Sequence, residues 1–139
     1  ACAESCTGGM LASRLTSISG SSMYIKGSIV TYSNEAKMKF LDVDKEILDT
    51  KGAVSPEVAK QMAEGVRKAV GSDIGVGITG IAGPTGGTDK KPVGLVYIAV
   101  AGKDNTVVKE NVFSGDRARV RYRSTQQALE MIRQYIKNK

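Results

Sequence analysis

The sequence predicts an α/β fold in which helices cover a mixed sheet. Three observations predict it: helical and strand-like patterns alternate through Thr79, two adjacent strand-like runs flank Gly102–Asn105 as a hairpin, and a long helical pattern closes the chain. The opening ACAESC reads as a strand end. TGG then leads into Met10, Leu11, Leu15 and Ile18, apolar at helical spacing. Gly20, Ser21 and Ser22 break that helix, and Tyr24 to Ser33, rich in β-branched and aromatic residues, is predicted to be a strand. Asn34 or Ser33 caps a short helix through Phe40, and Asp42 or Asp44 caps another through Asp49, before Gly52 stops it.

The clearest helix runs from Ser55 to Val70. Ser55 stands at its N-cap, Pro56 at its first position, and Val58, Met62, Val66 and Ala69 lie along one face. Ile74 to Thr79 is a short apolar run of buried-strand type. It empties into Gly80 to Pro92, which holds four of the 16 glycines and two of the 3 prolines. Val93 to Ala101 and Thr106 to Phe113 form the hairpin. From Asp116, Val120, Leu129, Ile132 and Ile136 mark the last helix.

At 139 residues the chain fits one domain, residues 1–139, and 41% hydrophobic with 24% charged residues is a globular balance. No apolar run approaches the roughly 20 residues that span a bilayer, and no basic, apolar leader is visible, so a cytoplasmic protein with no membrane partner is expected. The chain opens on Ala1 inside an element, so its N-terminus is expected to be incomplete. There are no histidines, which removes the commonest base near pH 7 and the commonest metal ligand. Acid–base chemistry therefore falls to Lys, Asp, Glu, Tyr or Cys. Cys2 and Cys6 are too few for a zinc site by themselves and read as reduced packing residues; no cofactor is expected. The net charge of +6 suits an anionic ligand or a nucleic acid and by itself decides neither.

Three small-residue turns follow predicted strands, at Ser5–Gly9, Thr31–Lys37 and Thr79–Gly87. In open α/β sheets ligands collect beyond the carboxyl ends of strands, so the three are expected to meet in one pocket. Ser5 sits at a strand-to-helix turn of nucleophile-elbow type, though without G-x-S-x-G; the alternative is that Ser5 or Thr7 simply caps the helix. Glu4 reads equally as a catalytic carboxylate, a polar anchor for the turn, or a solvated side chain. A serine nucleophile without histidine needs another base, and a partly desolvated lysine can serve. Lys37 is the best placed, against the alternative of solvated surface. Tyr32 suits orienting that base, stacking on a ring, or packing. The loop Thr79–Gly87 offers backbone N–H groups to a phosphate or ribose, or is a plain connection; it matches neither the P-loop nor the dinucleotide fingerprint. Arg117, after the natural N-cap Asp116, can clamp a phosphate. Arg117, Arg119, Arg121 and Arg123 alternate and so spread around a helix, which argues against a DNA-reading face.

These residues fall in six motifs: AESCTGG (Ala3–Gly9), VTYSNEAK (Val30–Lys37), GAVSPE (Gly52–Glu57), TGIAGPTGG (Thr79–Gly87), KPVG (Lys91–Gly94) and FSGDR (Phe113–Arg117). In this order and from end to end they resemble the CinA C-terminal domain, the nicotinamide-nucleotide amidase family. The resemblance implies a three-layer α/β/α fold, no metal, and hydrolysis of the carboxamide of nicotinamide mononucleotide (NMN) to nicotinic acid mononucleotide and ammonia. It implies Ser5 as nucleophile and Lys37 as base, with Tyr32 beside them. Thr31, Ser33 and Asn34 would shape the same wall, while Thr7, Gly8, Thr79, Gly80, Gly83 and Gly86 would hold ribose and phosphate and Arg117 the phosphate. Amides at the start of the first helix would hold the oxyanion. Family members carry a helix before the AES motif, expected to be missing here, and form homo-oligomers. The rival reading is a non-catalytic nucleotide-binding module associated with competence or DNA-damage response; a nucleic-acid partner is otherwise not expected. The presence of both Ser5 and Lys37 favours the enzyme.

Overall fold

The computed structural model describes all residues, Ala1–Lys139. Five strands form one sheet in the order β2-β1-β3-β4-β5: β1 (Cys2–Glu4), β2 (Ser28–Val30), β3 (Gly75–Gly80), β4 (Leu95–Ala101) and β5 (Thr106–Val112). β1 runs parallel to β2 and β3, while β4 is antiparallel to β3 and to β5, so the sheet is mixed. Five α-helices cover it: α1 (Met10–Thr16), α2 (Asn34–Leu41), α3 (Lys45–Lys51), α4 (Pro56–Val70) and α5 (Arg117–Lys137).

Period-two alternation sends the strand side chains to two different cores. Cys2, Val76, Ile78, Val96, Ile98 and Val100 pack with Leu11 of α1 and Val120, Ala128 and Met131 of α5. Ala3 faces the other way, into a cluster with Leu41, Val58, Met62 and Val66, and Ala99 and Ala101 meet Ala59 and Ala63 of α4. The result is three layers, α/β/α. The second face is lined with small residues because α4 comes very close. A Cβ on Gly77 would sit 2.5 Å from Ala59 O and 2.7 Å from Ala63 N. The alternating glycines of IGVGIT are thus a packing device: the odd positions admit α4 while Val76 and Ile78 fill the opposite core.

The caps are local and fall where the residue types place them. Ser33, Asp44, Ser55 and Asp116 accept from backbone N–H groups two or three residues on, at the starts of α2, α3, α4 and α5. The strand expected over Tyr24–Ser33 is corrected to Ser28–Val30. Ser21–Met23 forms a 3₁₀ turn, and β2 is an edge strand whose sole neighbour, β1, pairs with only those three residues. α1 stops at Thr16 rather than Ile18, where the Thr16 and Ser17 hydroxyls donate back to the carbonyls of Ala12, Ser13 and Arg14. β4 begins at Leu95, two residues later than the sequence suggests, because Gly94 turns the chain at φ 93°.

The topology collects the functional turns at one edge. β1, β2 and β3 are parallel, and two antiparallel steps bring β5 back to their direction. All four carboxyl ends therefore emerge together, delivering Ser5–Gly9, Thr31–Ser33, the loop after Gly80 and the start of α5. No helix is long and apolar enough to cross a membrane.

Candidate active site

At that edge lies an open cavity of about 290 Å³, near the lower end of small-molecule pockets of roughly 300–1,000 Å³. Ser5, Tyr32, Asn34, Lys37, Thr79, Gly80, Gly83, Gly86 and Arg117 line it, as do Cys6, Ala53, Val54 and the rest of the Ile81–Gly86 loop except Pro84.

Its floor is a contact between Ser5 and Lys37. The Ser5 N–H donates to Ile78 O of β3 (3.1 Å), which pins the residue at the end of the central strands. Lys37 sits one turn into α2, and its Nζ lies 3.1 Å from Ser5 Oγ and donates to Thr31 O at 2.8 Å. Only 2% of this lysine is exposed, and neither partner carries a charge. Burial, the dominant effect, accordingly holds its ammonium below the ordinary lysine value. Next to Ser5, burial pushes the Cys6 thiol up to about 11, so at neutral pH it remains a protonated wall and not a thiolate.

Glu4 resolves to one of its three readings. It is fully buried and accepts from Thr7 Oγ1 (2.7 Å), Leu11 N (2.8 Å) and Ala12 N (3.1 Å). The carboxylate anchors the turn and takes up the opening amides of α1, whose N-cap Gly9 offers no side chain. This corrects the expectation that amides at the start of the first helix would hold an oxyanion, since those of Leu11 and Ala12 are already bound and that of Met10 goes to Thr7 O. Within the turn, Gly8 N donates to Ser5 O, whereas the Cys6 and Thr7 N–H groups make no hydrogen bond within the chain.

Several residues expected at the ligand lie behind the wall. The Thr7 hydroxyl is spent on Glu4, and the Thr7 side chain is fully buried. Gly8 backs onto Arg121. Ser33 caps α2 through Ala36 N. Thr31 supplies its carbonyl to Lys37, while its hydroxyl is buried without a partner. Thr79 reaches the cavity, yet its hydroxyl donates to Ala53 O (2.8 Å) and ties β3 to the GAVSPE turn. Ala53 and Val54 were given no role by the sequence, although the GAVSPE motif that contains them was a visible signal. Across the cavity mouth, Arg117 donates to Gly83 O (2.8 Å) and Tyr32 Oη (3.1 Å), linking the glycine-rich loop to the turn after β2. Arg121, one turn further along α5, donates to the carbonyls of Cys6 and Thr7 (both 3.1 Å). The groups that reach the cavity are thus basic or neutral, and no cluster of three or more His, Cys, Asp or Glu residues forms anywhere in the chain.

The model of the CinA C-terminal domain family matches residues 1–136. The chain belongs to the CinA family. Among its relatives, the CinA-like protein of Koribacter versatilis is 58% identical over 134 residues, which are 96% of this chain and 32% of that protein. The CinA-like protein of Syntrophomonas wolfei is 54% identical over 138 residues, 99% of this chain and 33% of that one. The chain therefore spans about a third of the length of these CinA relatives. The crystal structure of the competence/damage inducible protein CihA from Agrobacterium tumefaciens superposes with a TM-score of 0.92 at 44% identity, covering 94% of this chain and 81% of that one. The three-layer fold is thus that of the CinA superfamily.

Proposed function

We propose that this CinA domain is a serine amidase that hydrolyses the carboxamide of NMN to nicotinic acid mononucleotide and ammonia. The observation that carries the reading is the buried Lys37 amine, 3.1 Å from Ser5 Oγ and with no carboxylate partner. A neutral lysine has one lone pair and two N–H bonds. With one N–H committed to Thr31 O, rotation about the last side-chain bond is limited and the neutral amine can present its lone pair to Ser5 Oγ at 3.1 Å, as a general base acting on a hydroxyl nucleophile must.

Lys37 takes the Ser5 proton as Oγ attacks the amide carbon, and the carbonyl oxygen becomes an oxyanion held by the free Cys6 N–H of the Ser5 turn. The lysinium returns the proton to the departing nitrogen, ammonia leaves, and Lys37 then activates water against the acyl-Ser5 ester. The exposed ring of Tyr32 suits stacking on the substrate's cationic pyridinium. The backbone of Gly80–Gly86 suits the ribose and phosphate, and Arg117 would exchange Gly83 O and Tyr32 Oη for phosphate oxygens.

The test is ammonia release from NMN, in buffer with a chelator, by this chain and by Ser5→Ala. Turnover in the native chain with loss in the variant supports the amidase. Nucleotide binding without turnover in either would replace it with a binding module.

A further inference from the structure

The Ser5 turn holds two consecutive amides without a hydrogen-bond partner, that of Cys6 at the cavity wall and that of the buried Thr7 behind it, and their directions are set by two different clamps. A trans peptide points its C=O and its N–H in opposite directions. Ser5 O is held by Gly8 N (3.0 Å), so the N–H of Cys6, in the same peptide, points the other way. Cys6 O is held by the Nε of Arg121 (3.1 Å), so the N–H of Thr7 likewise points away from the guanidinium. The second arm of Arg121, Nη2, donates to Thr7 O at 3.1 Å. Gly8, at φ 59°, makes room for this fork, since a Cβ there would stand 3.2 Å from Nη2. Arg121 forms no salt bridge. Its charge therefore falls on the oxygen ends of the Cys6–Thr7 and Thr7–Gly8 peptides; the nitrogen end of the first is the buried, unpaired Thr7 N–H, and that of the second is the Gly8 N–H that holds Ser5 O.

We propose that Arg121 is a positioning residue for acyl transfer: its guanidinium fixes the Cys6–Gly8 segment and polarises the Gly8 N–H that holds Ser5 O, so that the Cys6 N–H at the cavity wall stands ready for a tetrahedral adduct on Ser5. A cation at a carbonyl oxygen strengthens the N–H of the same peptide as a donor, and a fixed donor needs no reorganisation when charge develops. Arg121 touches no substrate. The inference rests on Ser5 being a nucleophile and is independent of which carboxamide is cleaved.

The test uses the chain as it stands, with Arg121→Met, Arg121→Lys and Ser5→Ala. The first readout is the rate of covalent labelling of Ser5 by a fluorophosphonate, followed by intact mass, whose phosphoryl oxygen needs the same donor and whose recognition needs no nucleotide. The second is kcat and KM for ammonia release from NMN, and thermal melting reports the fold. Loss of one direct oxyanion donor costs about 10²–10³-fold in kcat, so an indirect clamp should cost about 10–100-fold in Arg121→Met, in labelling rate and kcat alike, with KM within about threefold. Arg121→Lys offers a point charge in place of the fork and should lose about tenfold, which carries the comparison if the Met variant is unfolded. Wild-type labelling rates in a folded Arg121→Met, or in Arg121→Lys, overturn the proposal, as does a loss confined to KM. A folded native chain whose Ser5 is not labelled overturns it too. If Ser5 is labelled and Arg121-dependent but NMN is not hydrolysed, the substrate reading falls and this inference stands.

Discussion

Replacing Lys37 by methionine separates chemistry from folding at one atom. Methionine has nearly the length of the lysine stem and fits the same buried channel, so the change removes Nζ and little else. What is lost is the contact to Ser5 Oγ at 3.1 Å and the bond to Thr31 O at 2.8 Å. A carbonyl left without its donor costs about 1–3 kcal/mol, and removing a desolvated amine offsets much of that. The net change of about 1 kcal/mol moves Tm by roughly 4 °C for a domain of this size. The rate should respond far more, since loss of a general base costs about 10²–10⁴-fold in kcat, or about 3–5 kcal/mol of barrier. A pH signature accompanies it. The folded value of Lys37 is lowered by burial, so between that value and roughly 10.4 the unfolded chain binds more protons than the folded one. Lys37 therefore contributes stability that rises with pH across that window. As pH falls through it that stability is lost, and below the folded value no further change follows. The assays are ammonia release from NMN and the difference in unfolding free energy between native and variant chains from pH 7 to 10.5. A folded Lys37→Met within tenfold of native kcat, or a stability difference flat with pH, refutes the reasoning.

Two further changes probe the walls. Arg117→Ala removes the bidentate cation at the cavity mouth and should raise KM for NMN about 10–100-fold, the worth of a charge-assisted hydrogen bond, while leaving kcat within a few fold. The riboside of nicotinamide, which has no phosphate, should be unaffected; an equal loss with it would show that Arg117 does not read phosphate. Glu4→Gln keeps the shape of the anchor but discards its charge and turns one donor toward the α1 amides. It should cost about 2–4 kcal/mol and lower Tm by roughly 8–15 °C in thermal melting, and a variant that melts with the native chain would show that Glu4 does not hold the turn.

Much of the architecture was legible because its causes are short-range. The Ser55 cap, Pro56 and the apolar stripe of α4 act over three or four residues, and the helix is found where they place it. The six motifs were equally visible, and five of them supply residues to one cavity. What stayed hidden were the contacts that close over long stretches of chain. Thr7 and Ser33 carry hydroxyls in ligand-like turns, but those hydroxyls satisfy Glu4 and the α2 amides, and no spacing rule separates a hydroxyl that meets substrate from one that completes the backbone. Arg121 looked like one member of an alternating arginine series until α5 crossed behind the Ser5 turn, 115 residues away in sequence.

The sequence by itself determined the order of helices and strands, the short apolar run of the third strand, and the set of small-residue turns at strand ends, because propensity, capping and periodicity are properties of neighbours along the chain. Tertiary structure alone decided that Lys37 turns inward to Ser5, 32 residues distant, instead of outward to water. Whether an ammonium keeps its proton depends on the solvent taken from it, and only the packed α2, β1 and β2 ends remove that solvent.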